Sequence, residues 1–383
     1  MPETPASPSA DPSAPGVPPA HQPLLRGPAV LGSGPDATVP AHYGAPTREQ
    51  RRFLDGRAVV DLGQLELLEV RGADARTWLT TITSQQLTDL PVGRSAELAV
   101  LSPQGRVEHL ASAAILADDA ILLVTDAGRR AGLRRYLEMM RFAARVELLD
   151  RDDLRVLGGV APVIEILGDG APAPVGVIAD DWPSIAPGGV AYGPDPDDPV
   201  GTVLSIVADD DATARAWRVD ELAGMAAWEA IRIANHRARL TADVDERTIP
   251  HELDLLRQAV HTAKGCYRGQ ETVAKVLNLG QPPRRLVMLH LDGSRDVLVP
   301  AGAQVLMGGP DGRAVGVVTS SALHVDLGPI ALAVIKRAVP LDEPLTALVP
   351  APDGGGDGVA VDASQEPIVL PRDHGQRPPT ARL

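Results

Sequence analysis

Cysteine is nearly absent from this chain: Cys266 is the only one. An internal disulfide is therefore excluded, and a zinc site built on paired cysteines goes with it, since His261 alone stands nearby without paired spacing. Aromatic residues make up 3% of the sequence, too few for the stacking platform that single-stranded nucleic acid requires. Positive charge is in deficit as well. A net charge of −14 repels a phosphate backbone, so no direct nucleic-acid partner is expected. No run approaches the ~18 uninterrupted apolar residues of a membrane span. The opening MPETPASPSADPSAPG has neither the basic start nor the apolar core of a secretory signal. These absences predict a cytoplasmic protein with no membrane partner. The phosphate loop, the nucleophile elbow and the His-Glu-x-x-His zinc motif are missing too.

Lysine is the most pointed scarcity. Of 36 basic residues only three are lysines, Lys264, Lys275 and Lys336, and the first two fall within the segment KGCYRGQETVAK. Compact ammonium groups are not interchangeable with arginine in a site, so their retention here draws attention to this segment.

The chain length allows two or three packed domains. Residues 1–42, rich in Pro, Ala, Ser and Gly, and residues 352–383 lack apolar periodicity and read as disordered tails. Residues 43–153 alternate strands and helices, with a turn at Ser102-Pro103-Gln104-Gly105 between two apolar runs. This order predicts an α+β split layer. Residues 154–283 form a second α+β domain, interleaved with the first, that contains one long helical run over 211–239. Trp78, Trp217 and Trp228 read as core-facing residues of helices. Residues 284–351 hold five or six short strands punctuated by Gly and Pro, the pattern of a small β-barrel.

The run Lys264-Gly265-Cys266-Tyr267-Arg268-Gly269-Gln270-Glu271 resembles the signature of the YgfZ family, which is similar in fold to the aminomethyltransferase T-protein of the glycine cleavage system. Glu229-Ala-Ile-Arg232-Ile-Ala234, Thr248-Ile-Pro250-His-Glu252, VRGADARTWL (70–79), SPQGRV (102–107) and GVVTSS (316–321) add support by their order. The resemblance implies a three-lobed T-protein-like fold with ferredoxin-like α/β layers and a C-terminal β-barrel. It implies a central hole for tetrahydrofolate or a derivative. It further implies a role as accessory factor for iron–sulfur client proteins, acting through them on tRNA modification. The alternative is a tetrahydrofolate-dependent aminomethyl or other one-carbon transferase.

Reduced folate offers a pterin edge that carboxylates can grip and an anionic glutamate tail. Glu252 and Glu271 are candidates for the first handle, and Arg232, Lys264 and Arg268 for the second, with Gln270 beside them. Gly265 and Gly269 would let the backbone turn tightly. The run following Gly269 reads as a helix whose first amides add partial positive charge. Cys266 is open to three readings: nucleophile, soft metal ligand or small packing group. T-proteins carry adjacent aspartates after the hairpin glycine, where this chain has Glu108 and His109, and a glutamate where it has Ala234. Both departures weaken the transferase reading. Glu108 or His109 would have to act as base in it.

Overall fold

The computed structural model describes residues 24–351 and 358–371. Two five-stranded sheets and a closed six-stranded barrel make up three lobes, and the α+β class holds. The first sheet is antiparallel throughout, in the order Ser95–Leu101, Val107–Ala117, Ala120–Thr125, Glu66–Arg71 and Glu147–Asp150. Two helices cover one face. Ala75–Ile82 buries Trp78, Leu79 and Ile82, while Arg130–Met139 buries Leu133, Tyr136 and Leu137. Apolar residues three and four apart line one stripe of a helix, so this packing follows directly from the sequence.

The second sheet orders Pro174–Ala179, Val203–Ala208, Leu154–Gly159, Val59–Asp61 and Leu222–Ala223, with only the last pair parallel. One of its strands, Val59–Asp61, precedes the whole first sheet in the chain. The expected helical run over 211–239 is broken: it forms Asp209–Ala214, the short strand Leu222–Ala223 and the helix Met225–Ala234. Trp217 accounts for the break. Its indole N–H donates to the carbonyl of Ala212 at 2.7 Å and its ring carries Arg215 at 4.5 Å, which folds the chain back on itself.

The barrel runs Arg284–Leu291, Gly328–Lys336, Arg313–His324, Gln304–Met307, Leu345–Val349 and Val359–Pro367, and the last strand pairs with the first to close it. The C-terminal stretch therefore does not start a tail at residue 352. Val361 is fully buried in the barrel core, while Ile368 and Val369 pack into the central core beyond it. The N-terminal boundary shifts in the same way. Leu24 is buried and its N–H donates to Asp61 at 3.0 Å, Tyr43 donates to the Leu24 carbonyl at 2.9 Å, and Val30–Leu31 pairs with Pro40–His42. A few anchored side chains suffice to order a segment whose average composition is poor in apolar groups. Residues 1–23, 352–357 and 372–383, also assigned to tails above, lie outside the described residues. No helix among the described residues is long and apolar enough to cross a membrane.

Candidate functional site

A cavity opens where the first sheet, the second sheet and the helix Met225–Ala234 converge. It holds about 1240 Å³ of atom-free space, counting the part open to solvent. One wall is apolar, made by Leu62, Leu65, Leu110, Val124 and the ring of Trp228. The expectation that Trp228 is purely a packing residue is thus incomplete. It stacks edge-on against Phe53 at 6.0 Å and also lines the cavity.

The opposite wall is a network of charge. Arg232, Arg237 and Arg239 leave one short segment and are each met by carboxylates from different parts of the chain. Arg232 pairs with Glu229 at 2.7 Å and Asp243 at 2.8 Å, and donates to the Ser320 hydroxyl of the barrel at 2.7 Å. Arg237 pairs with Asp180 at 3.1 Å and Glu97 at 3.3 Å, and lies over the Trp182 ring. Arg239 pairs with Asp36 at 2.6 Å and Asp126 at 3.3 Å. Burial opposes charge on all three guanidiniums, yet the surrounding carboxylates raise them above their ordinary range. Burial likewise acts to raise Glu229, but Arg232 and Arg239 outweigh it and hold the carboxyl down. The network fixes the wall and ties three lobes together.

One polar group is left over. Gln64 lines the cavity and is buried; its amide nitrogen donates to Asp36 at 3.1 Å, while its Oε1 has no partner among the described residues. A buried acceptor without a donor costs about 1–3 kcal/mol, so this oxygen favours a ligand that brings an N–H or O–H.

Of the seven candidate residues, only Arg232 lines this cavity. Glu252 is buried elsewhere and accepts from Arg284 of the barrel at 2.8 Å, which takes it away from the pterin role expected of it. The Lys264 ammonium donates to the carbonyls of Thr80 and Thr83 (2.5 Å to the latter), capping the end of helix Ala75–Ile82 and not an anionic tail. Burial presses its pKa down to about 8. Arg268 pairs with Glu108 at 2.9 Å and lies near the Tyr136 ring, and Gln270 donates to the Lys264 carbonyl at 3.4 Å. Glu271 and Cys266 are exposed. The 264–271 segment lies outside the lining of this cavity, and its contacts make it a joint between elements.

Its glycines show how. Gly269, at φ +82, begins the helix Gln270–Leu279, and a Cβ there would sit 2.5 Å from the Ser102 carbonyl oxygen. Gly105, at φ +76, occupies the facing turn, where a Cβ would come within 2.8 Å of Thr272. Both positions need a left-handed backbone and no side chain, so the turn and the helix start can touch. Gly265 has open space around its missing Cβ and no positive φ, so the tight turn expected there is not what it provides.

Glu108 and His109, the alternative bases, are also outside the cavity lining. His109 packs near Tyr136 and is held down to about 4 by burial, with Arg129 and Arg268 adding to it. His251, beside Glu252, is fully buried against Tyr192 and likewise sits at about 4, by burial. Both rings are neutral in the folded chain, while the unfolded chain binds protons from about 6.5 downward. The stability these groups contribute is thus fully present above pH 6.5 and drains as pH falls toward 4. For His251 this loss amounts to about 3 kcal/mol. Urea midpoints at pH 7 and pH 5 should differ markedly, and His251→Phe should narrow the gap. Equal gaps in the two proteins would contradict the assignment.

Gln64, Glu97, Asp180, Arg237 and Arg239 carry no motif in the sequence. The only signal is the cluster of arginines after Arg232, and their partners lie as far away as Asp36, 203 residues from Arg239.

No protein-family model matches the chain. A chloroplastic protein of Arabidopsis thaliana that carries a provisional transferase name is 24% identical over 299 residues, covering 70% of this chain and 62% of that protein. An aminomethyltransferase of Chromobacterium violaceum is 26% identical over 133 residues, 32% of this chain and 34% of that one. The chain thus spans less than two-thirds of the length of either curated relative. The crystal structure of the glycine cleavage system aminomethyltransferase T from Bartonella henselae superposes with a TM-score of 0.66 at 18% identity, over 91% of this chain and 96% of that one. The chain has the aminomethyltransferase T-protein fold.

Proposed function

We propose that the chain binds a reduced folate with its pterin in the central cavity and serves as a YgfZ-like accessory factor for iron–sulfur proteins. The observation that carries the binding step is the cavity with its one orphaned acceptor. A pterin is a flat ring with a donor-rich edge. The apolar wall with Trp228 suits its face, and Gln64 Oε1 suits an edge N–H. Neighbouring carboxylates, Glu97, Asp126 and Asp180, give this end of the cavity acceptors but little attraction for the anionic glutamate tail, which would stay toward solvent. The accessory role rests on the motif resemblance, through iron–sulfur clients and their effect on tRNA modification.

Binding is favoured over one-carbon transfer for a specific reason. Glu97, Asp126 and Asp180 each already accept from an arginine, Glu108 pairs with Arg268, and His109 packs beside the Tyr136 ring, outside the cavity lining. A general base needs a free lone pair within hydrogen-bond reach of the substrate proton. Calorimetric titration with tetrahydrofolate should give saturable heat, and turnover of an aminomethyl donor in its presence should be negligible. Turnover would move the chain to the transferase reading. The accessory role is tested separately, by iron–sulfur enzyme activities in a strain lacking the protein.

A further inference from the structure

The chain has only two phenylalanines, and the structure treats them in opposite ways. Phe53 is fully buried, while Phe142 is 85% exposed. Phe142 also has φ +42, in the left-handed region, inside a turn closed by the Ala144 N–H donating to the Arg141 carbonyl at 2.8 Å. That backbone suits Gly or Asn and is costly for a bulky side chain. Folding thus gains nothing visible from a phenylalanine here: it is strained and wet. Strain of this kind is retained at binding surfaces.

Its surroundings are unusual for this chain too. Met139 is 62% exposed. Arg135, Met139 and Phe142 succeed one another at steps of four and three along the outer side of helix Arg130–Met139 and its exit. Residues 129–145 hold six arginines and one acid, Glu138, in a protein of net charge −14. Arg130, Arg134 and Arg145 are used in ion pairs. Arg135 and Arg141 are exposed and enter none among the described residues.

We propose that Arg135, Met139, Arg141 and Phe142 form a docking surface for an acidic segment of a partner protein that carries apolar side chains. Phenylalanine, methionine and arginine are the residue types enriched in protein interfaces, where a rigid aromatic anchors and arginine pairs with carboxylates. The two unpaired guanidiniums fix the sign of the partner's charge. A lipid surface fits less well, because two apolar side chains are few for insertion and the whole chain is repelled by anionic headgroups. RNA fits less well for the same net charge and for want of further aromatic rings.

The test uses the full chain and a fluorescein-labelled peptide of alternating Glu and Leu, followed by anisotropy. Saturable binding is expected, weakened about tenfold or more by Phe142→Asn and by the pair Arg135→Glu and Arg141→Glu. Phe142→Asn should melt at the same temperature as the parent or higher, since Asn relieves the left-handed backbone. A lower melting temperature would make Phe142 a structural residue and overturn the proposal. So would the absence of peptide binding, equal binding by parent and Phe142→Asn, or tighter association with phosphatidylserine vesicles or polyuridine than with the peptide.

Discussion

A chain ending at residue 352 is expected to lose cooperative folding. The strand Val359–Pro367 closes the barrel by pairing with Arg284–Leu291 on one side and Leu345–Val349 on the other. Removing it creates two open edges, and unpaired edges template aggregation. Burial of Val361, Ile368 and Val369 is lost as well, all at 1% exposure or less. At about 1.5–3 kcal/mol for each fully buried side chain, these three alone account for roughly 5–9 kcal/mol. That is comparable to the entire stability of an ordinary domain, about 5–15 kcal/mol. Arg285 would lose the Gln365 acceptor at 2.6 Å, and His236 and His290 would lose the carboxylate of Glu366 that bridges them. Thermal melting followed by circular dichroism checks this. A cooperative transition within a few degrees of the full chain would show the barrel to be stable without its last strand.

The second large effect is expected at Arg232. Replacing it with Met keeps much of the stem but strips the cation from buried Asp243, leaving that carboxylate the Arg239 backbone N–H and the Thr319 and Ser320 hydroxyls, and removes one of two arginines from Glu229. Breaking a buried pair by removing one member costs about 3–5 kcal/mol, because the remaining charge is left without compensation. Urea unfolding of Arg232→Met should show a loss of that order, and adding Asp243→Asn should recover part of it. A loss below about 1 kcal/mol would mean that the cavity wall does not depend on the network.

What the sequence revealed and what it hid follow one physical rule. Elements specified by local periodicity were legible: Leu133, Tyr136 and Leu137 give a helix away at once, and Gly- and Pro-bounded apolar runs give away most of the barrel. The closing strand is hidden because Val359-Ala360-Val361-Asp362-Ala363 is built of small residues behind a glycine run, and one of its two partner strands, Arg284–Leu291, lies far upstream in the chain. The KGCYRGQE segment stands out in the sequence, and its packing role becomes visible only in the fold. Gly269 serves a contact with the Ser102–Gly105 turn, and Lys264 caps a helix by donating to the Thr83 carbonyl, 181 residues earlier in the chain. Spacing could not disclose the cavity, since Gln64, Glu97, Asp126 and Asp180 meet Arg232, Arg237 and Arg239 only after three lobes assemble.

The central claim is that the cavity beside Arg232, and not the 264–271 loop, is where a reduced folate binds. Titration of tetrahydrofolate by calorimetry into three proteins tests it most directly: the parent, Ser112→Phe and Glu271→Ala. Ser112 lines the cavity from an interior strand of the first sheet, where an aromatic side chain suits the backbone, so phenylalanine there fills the space. Saturable binding by the parent and Glu271→Ala, with none by a folded Ser112→Phe, is the predicted result. Unchanged binding by Ser112→Phe together with loss in Glu271→Ala would contradict it and return the ligand to the loop.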